Sequence, residues 1–299
     1  MTQVTSIAAG KTYNVAQVCR VWRVSRASVY RARSEAPGDA PPARRRGPTG
    51  PCSDDELVER IRGVLEASPF HGEGYRKVWA RLRISGLRTS KERVRRLMRA
   101  HGLSAPYHPR RRRGSKAHDR RITTDRPDEM WGTDATSTLT REGTATIFLL
   151  VDHCTGEVLG IHAALRGTRH EALEPVRQAV RTTRGRYDKD VASGTSLRHD
   201  HGSQYMSHDF QEEVSFLGIS STPAFVAEPE CNGVAERFVK RLKEQLLWCR
   251  TFDTVEELRL ALHAFQRLHN EEWLVKKHGY RTPAQVRRAL ASTAAKVAA

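Results

Sequence analysis

A chain of 299 residues has room for two or three domains, and 38% apolar residues suffice for a core in part of it. No apolar run approaches the ~20 residues of a membrane span, and the first residues lack the basic-then-apolar pattern of a secretory signal, so a cytoplasmic protein is expected. The net charge of +17 is unevenly placed: residues 1–125 hold 28 Lys and Arg against 11 Asp and Glu, while the remainder holds 23 of each. A basic front on a neutral rear predicts a polyanion-binding module attached to a separate working domain. Five scattered cysteines with no Cys-x-x-Cys pair argue against a zinc finger or ribbon and for free thiols.

Residues 13–33 read as two short helices around a turn. Val15, Val18, Cys19 and Val21-Trp22 form an apolar face, and Ser25 stands where a second helix would be capped. This is the outline of a helix-turn-helix over residues 1–34. Residues 35–53, rich in Pro and Gly with Arg44–Arg46 among them, predict an exposed basic linker. Helical spacing resumes over 54–103. Thr89-Ser-Lys-Glu92 has the form of a capping box, opening a helix that turns Val94, Leu97 and Met98 inward and Lys91, Arg93, Arg95, Arg96 and Arg99 largely outward. Gly102 stands as its C-terminal stop. Five cations on ten residues repel one another unless an anion screens them, so DNA phosphates are the expected partner of this second helix-turn-helix-like domain. Residues 104–127, with Arg110, Arg111, Arg112 and Arg113, predict a basic arm tracking a nucleic-acid backbone.

From 128 the pattern changes. A short strand is predicted over Trp131 to Thr136, and Thr144 to Val151 is a β-branched apolar run, hence a buried strand. A turn at Cys154–Glu157 leads back through Val158 to Ala164. A helix over 170–184, a strand over 195–200, a helix over 209–217, a strand over 219–222 and long helices over 233–247 and 255–269 follow. This β-β-β-α-β-α-β-α order predicts an α/β ribonuclease H-like core over 128–290, a mixed five-stranded sheet with flanking helices, preceded by the all-α helix-turn-helix region. A tail is expected at 291–299.

Three acids carry the chemistry. Asp134 lies in Trp131-Gly-Thr-Asp, Asp200 in His199-Asp-His-Gly-Ser-Gln-Tyr205, and Glu236 in Asn232-Gly-Val-Ala-Glu-Arg-Phe, with thirty-five residues between Asp200 and Glu236. Each alone reads as a cap, a turn or a surface charge. Together, on the first strand, at the end of the fourth and in the first turn of a helix, they form a carboxylate trio suited to two hard divalent cations, Mg²⁺ or Mn²⁺, clamping the oxygens of a phosphodiester. Lys240 and Lys243 share the helical face of Glu236 and stand open to two readings, contact with DNA phosphates or an ordinary Glu–Lys pair. Gln204 and Tyr205 are expected on a mobile loop touching substrate, and Trp131 in the core.

The chain resembles the second-frame transposase protein (OrfB) of the third major insertion-sequence family, within the retroviral-integrase superfamily. The likeness runs through His71-Gly-Glu-Gly-Tyr-Arg-Lys, Arg93-Val-Arg-Arg-Leu-Met-Arg-Ala-His-Gly-Leu103, the three acidic motifs, His269-Asn-Glu-Glu and Gly279-Tyr-Arg-Thr-Pro-Ala-Gln285. It departs where His199 abuts Asp200 directly and where Glu272-Trp-Leu-Val-Lys-Lys-His278 replaces an Arg-Pro-His stretch. The resemblance implies a DNA transposase of a bacterial insertion sequence, nucleoid-associated, with Asp134, Asp200 and Glu236 as the catalytic, metal-holding triad. It further implies double-stranded DNA (transposon ends and target) as partner, a homo-oligomer and an upstream-frame partner protein. The rivals are another ribonuclease H-fold nuclease and a non-enzymatic DNA-binding repressor with a decayed core.

Overall fold

A computed structural model describes residues 3–5, 10–34, 52–106, 124–223 and 232–298. The chain divides into two units, Met1–Thr49 and Gly50–Ala299. Residues 35–51 of the predicted linker over 35–53, and the arginines Arg110, Arg111, Arg112 and Arg113, lie outside the described residues.

In the first unit a short antiparallel pair, β1 (Gln3–Thr5) and β2 (Thr12–Asn14), precedes α1 (Val15–Val21) and α2 (Arg26–Ser34). The strand pair was not legible in the sequence. Asn14 ends β2 and caps α1 at once: its Oδ1 accepts from Gln17 N at 2.8 Å, and Gln17 Oε1 accepts from Asn14 N at 3.2 Å. Val21 and Trp22 are exposed, not a buried face, while Val15 and Cys19 are buried.

The second unit opens with three helices, α3 (Asp54–Ala67), α4 (Tyr75–Ile84) and α5 (Lys91–Ala100), closed over Leu57, Ile61, Val78, Leu82, Val94 and Met98. Ser53 caps α3, and three acids in its first turn suit the positive end of the helix dipole. The cap of α5 is Ser90, not Thr89. Thr89 is held elsewhere, its carbonyl accepting from Trp79 Nε1 at 2.8 Å, and Glu92 pairs with Arg95 instead of closing a box. Gly102, at φ +67°, ends α5 as predicted, with Leu103 N donating to Met98 O.

The remaining elements build one mixed sheet. Strands β3 (Met130–Thr140), β4 (Gly143–Asp152) and β5 (Val158–Ala164) run antiparallel; β6 (Ser196–His199) and β7 (Ser220–Pro223) add parallel strands in the order β5-β4-β3-β6-β7. The apolar run of β4 is buried on both sides, as a continuous hydrophobic strand must be. Phe148 and Leu150 meet α6 (Arg169–Arg184) and α8 (His208–Phe216). Ile147, Leu149 and Val151 face α9 (Gly233–Leu242) and α10 (Val255–Glu272). Helix α6 lies so close to β5 that a Cβ on Gly160 would stand 2.2 Å from Pro175 O, which only glycine permits. This is the ribonuclease H-like integrase core topology, with the helical domain before it.

Two further boundaries differ from expectation. The predicted helix over 233–247 is α9 followed by a π-helical turn, Lys243–Leu247. The predicted tail is mostly helical, since α11 runs Pro283–Ala298. Thr282 and Gln285 close a reciprocal box at the start of α11, with Pro283 at the first helical position, which explains the Arg-Thr-Pro-Ala-Gln signature as a helix start.

The three-helix domain is fastened to the core by the His71–Lys77 segment. The backbone of His71 exchanges hydrogen bonds with the Gln245 side chain (2.8 and 3.0 Å), and Phe70 packs edge-on against Trp273 at 4.9 Å. Glu73, 3% exposed, accepts from Arg81 Nε at 2.6 Å and lies 3.6 Å from Lys77 Nζ. Lys77 Nζ also sits over the Trp273 ring, and burial lowers its pKa to about 7.

Candidate active site

Asp134 lies mid-way along β3, opposite Leu149 of β4, so its side chain emerges on the face covered by α9. Asp200 follows the last residue of β6, the strand that pairs in parallel with β3. Glu236 sits in the first turn of α9, which packs on β3 and β4. Asp134 is half-buried; Asp200 and Glu236 are exposed.

Electrostatics tie the three together. Burial, then the negative charges of Asp200 and Glu236, raise the Asp134 carboxyl to about 6, against the Ala135 N–H it accepts at 2.8 Å and the cation of Lys243. Asp200 Oδ1 accepts from Gly202 N at 2.9 Å, an Asx turn that fixes the carboxylate at the strand end. Thus Asp134 feels both predicted partners and one of the two predicted lysines. Lys240 is exposed, with Nζ 3.6 Å from Glu244 Oε1.

One trio of His, Cys, Asp or Glu ligand atoms lies mutually within 4.8 Å among the described residues, and it is a different one: His208, Asp209 and Glu212 at the start of α8. Its acids are already engaged, Asp209 with Arg169 and Glu212 with His208 Nδ1 at 3.2 Å. Asp134, Asp200 and Glu236 do not form such a trio.

Two predicted site residues need correction. Tyr205 is not on a mobile loop: it lies in a short helix, α7 (Ser203–Met206), and is fully buried. Its ring packs against Phe148, His199 and Phe210, and its hydroxyl lies 3.4 Å from Thr133 Oγ1. It cannot reach a DNA strand; it supports β3 from beneath Asp134. Arg93 does not face outward freely: Nε donates to Asp54 Oδ1 and Nη2 to Cys52 O, both at 2.8 Å. Arg96 also pairs with Asp54 while staying half-exposed, and Arg99 is exposed. Lys91 lies over the Trp79 ring, 4.3 Å from its centroid. Gln204 remains half-buried beside the Asp200 turn. Trp131 is fully buried, as expected, with Nε1 donating to Asp128.

Sequence reasoning assigned no role to Asn232, His153 or Arg198, whose buried polar atoms gather beside β3. Asn232 precedes α9 at its cap position but does not cap it; Nδ2 donates instead to Thr133 O at 2.7 Å.

Known proteins resemble this chain in both of its larger parts. An HTH-like domain model matches residues 53–113, and an integrase core domain model matches residues 218–283, the span that contains Glu236. The transposase InsD for insertion element IS2D of Escherichia coli (strain K12) is 27% identical over 280 residues, covering 91% of this chain and 90% of that protein. The transposase for insertion sequence element IS629 of Shigella sonnei is 25% identical over 245 residues, covering 79% of this chain and 80% of that protein. The resemblance to insertion-sequence transposases is borne out. Among solved structures, the transposase-like chain is similar to the simian T-cell lymphotropic virus intasome in complex with a PP2A regulatory subunit (TM-score 0.47, 20% identity, 79% of this chain and 74% of that one). It is also similar to the catalytic core domain of BIV integrase (TM-score 0.41, 21% identity, 56% and 97%). No helix among the described residues is long and apolar enough to cross a membrane.

Proposed function

We propose that this chain is a DNA transposase: its core cleaves the 3′ ends of a bacterial insertion sequence and joins them to target DNA. The observation that carries the reading is where the three acids sit: Asp134 mid-way along β3, Asp200 just past the end of the adjoining parallel strand β6, and Glu236 in the first turn of α9, which packs on β3. Three acids gathered with one lysine among them are costly unless cations neutralise them, and an all-oxygen donor set selects hard divalent ions. Asp134, Asp200 and Glu236 would hold two Mg²⁺ or Mn²⁺ ions. Such ions, when bound, polarise the phosphodiester and make a water or a 3′-hydroxyl a stronger nucleophile. The rest falls to the chain. Asp134, fixed mid-strand, faces both other acids; Asp200 is held by its turn; Lys243 places a cation where DNA phosphates would approach. Each step exchanges one phosphoester bond for another or for hydrolysis, so no covalent enzyme intermediate is required.

The basic front end supplies the grip on double-stranded DNA. In the HTH-like domain, Lys91, Arg95, Arg96 and Arg99 are the cations available to phosphates, with Arg110, Arg111, Arg112 and Arg113 beyond them in the sequence. Residues 1–34 provide a second helix-turn-helix element. Two ends must be held together for transposition, so the working form is a homo-oligomer acting in the cytoplasm on nucleoid DNA, with an upstream-frame protein as a further partner.

The test is a strand-transfer assay with the full chain, labelled duplexes carrying the element's ends, and supercoiled target. The reading expects metal-dependent joining that Asp134→Asn abolishes. Unchanged joining by that variant would overturn it, and cleavage of RNA in an RNA–DNA hybrid without joining would favour a ribonuclease.

A further inference from the structure

Three buried polar side chains outside the acidic triad converge on the backbone just before Asp134. His153 follows β4, Arg198 lies on β6 and Asn232 precedes α9; their exposures are 5%, 8% and 7%. Gly132 is flanked in the sheet by Val151 of β4 and Arg198 of β6, and it shares the α9-facing side of β3 with Asp134. A Cβ on Gly132 would lie 2.6 Å from both Asn232 Oδ1 and His153 Nε2. Glycine is therefore required here because two polar groups occupy the side-chain position.

The hydrogen-bond inventory sets the roles. Asn232 Nδ2 is committed to Thr133 O, the residue before Asp134. That fixes the amide orientation and turns Oδ1, an acceptor, toward His153 Nε2. Oδ1, both imidazole nitrogens, and Nε and Nη1 of Arg198 are buried and otherwise unpartnered. A buried polar group left without a partner is destabilising, and here several stand beside one strand. Burial, then the charges of Arg198, Arg237 and Lys277, holds His153 neutral, near 4, so one ring nitrogen is a donor and the other an acceptor.

We propose that Asn232, His153 and Arg198 are positioning residues: His153 Nε2–H donates to Asn232 Oδ1, Arg198 donates into the same group, and together they pin the start of α9 to β3. Glu236 stands one helical turn beyond Asn232, so this lock sets its carboxylate against Asp134. The proposal rests on the catalytic reading of those two acids, because only then does their spacing matter.

The experiment compares full-length wild type with His153→Leu, which stays near the volume of His but loses the donor, His153→Phe, which keeps a flat ring without one, His153→Gln, which restores one, and Asn232→Ala. Mn²⁺ binding is followed by electron paramagnetic resonance, end-DNA binding by fluorescence anisotropy, and folding by thermal denaturation. His153→Leu, His153→Phe and Asn232→Ala should weaken Mn²⁺ binding about 10–100-fold, the range lost when outer partners of metal ligands are removed. DNA affinity should hold, and His153→Gln should recover most of the Mn²⁺ affinity. Wild-type Mn²⁺ affinity in folded His153→Leu, His153→Phe and Asn232→Ala overturns the proposal. So does a loss that follows the folded fraction with Gln no better than Leu or Phe, which is a packing role alone. Failure of the catalytic reading shows separately, as an Asp134→Asn chain with wild-type Mn²⁺ binding and strand transfer, and it removes the proposal as well.

Discussion

Replacing Asp134 with Asn should make the metal-free protein more stable, although it destroys the activity. The carboxyl is raised from an ordinary 3.8 to about 6, chiefly by burial. The folded state thus holds this proton more tightly than the unfolded chain does. Stability falls as pH rises from about 4 through 6 and stays reduced above that; below about 4 both states are protonated and the penalty vanishes. Two pKa units correspond to a ceiling of about 3 kcal/mol. Solvent around a half-buried group screens this to about 1–2 kcal/mol. For a unit of this size that is a rise of roughly 2–8 °C in Tm for Asp134→Asn at pH 8 in EDTA. The asparagine cannot ionise, so its advantage should disappear near pH 4. Adding Mg²⁺ should reverse the order at pH 8, since a hundredfold excess over Kd stabilises wild type by about 2.7 kcal/mol. Thermal scans in the four combinations of pH and metal are the assay. A variant no more stable than wild type in EDTA at pH 8, or equally favoured at pH 4, would refute the reasoning.

Other outcomes follow from the same geometry. Glu73→Gln should cost about 2–3 kcal/mol in chemical denaturation, because it takes the buried carboxylate from the partly buried Lys77 and Arg81 and leaves Arg81 only Glu272 at 3.9 Å; a loss under about 1 kcal/mol would mean that joint is not held by charge. Arg99→Ala should weaken end-DNA binding and lower its salt slope by about one. Arg93→Ala should instead lower stability, through lost bonds to Asp54 and Cys52; the reverse pattern in anisotropy and melting would exchange their roles. Lys243→Ala should raise the KM for end DNA several-fold, more than Lys240→Ala, because Lys243 acts on Asp134 while Lys240 already has Glu244; equal effects would remove Lys243 from the site.

Much of the architecture was legible because it depends on local pattern. The apolar run from Thr144 to Val151 requires a strand buried on both faces, and the alternation of strands and helices after it leaves few topologies. The three acids stood out because their motifs fall at a mid-strand, a strand end and a helix start that one sheet brings side by side. What escaped depends on distant partners. Tyr205 follows a catalytic motif, yet its burial is decided by Phe148 and Phe210. Arg93 looks outward on a helical wheel until Asp54, thirty-nine residues away, claims it. His153 carries no local signal at all; its meaning appears only where β4, β6 and α9 meet over Gly132.

Where divalent ions bind decides most directly whether Asp134, Asp200 and Glu236 form the active site. Crystals of the full chain with an element-end duplex, soaked in Mn²⁺ and measured by anomalous scattering, should show two manganese peaks bracketed by Asp134, Asp200 and Glu236. Manganese at His208, Asp209 and Glu212 with none between those three acids would contradict that assignment.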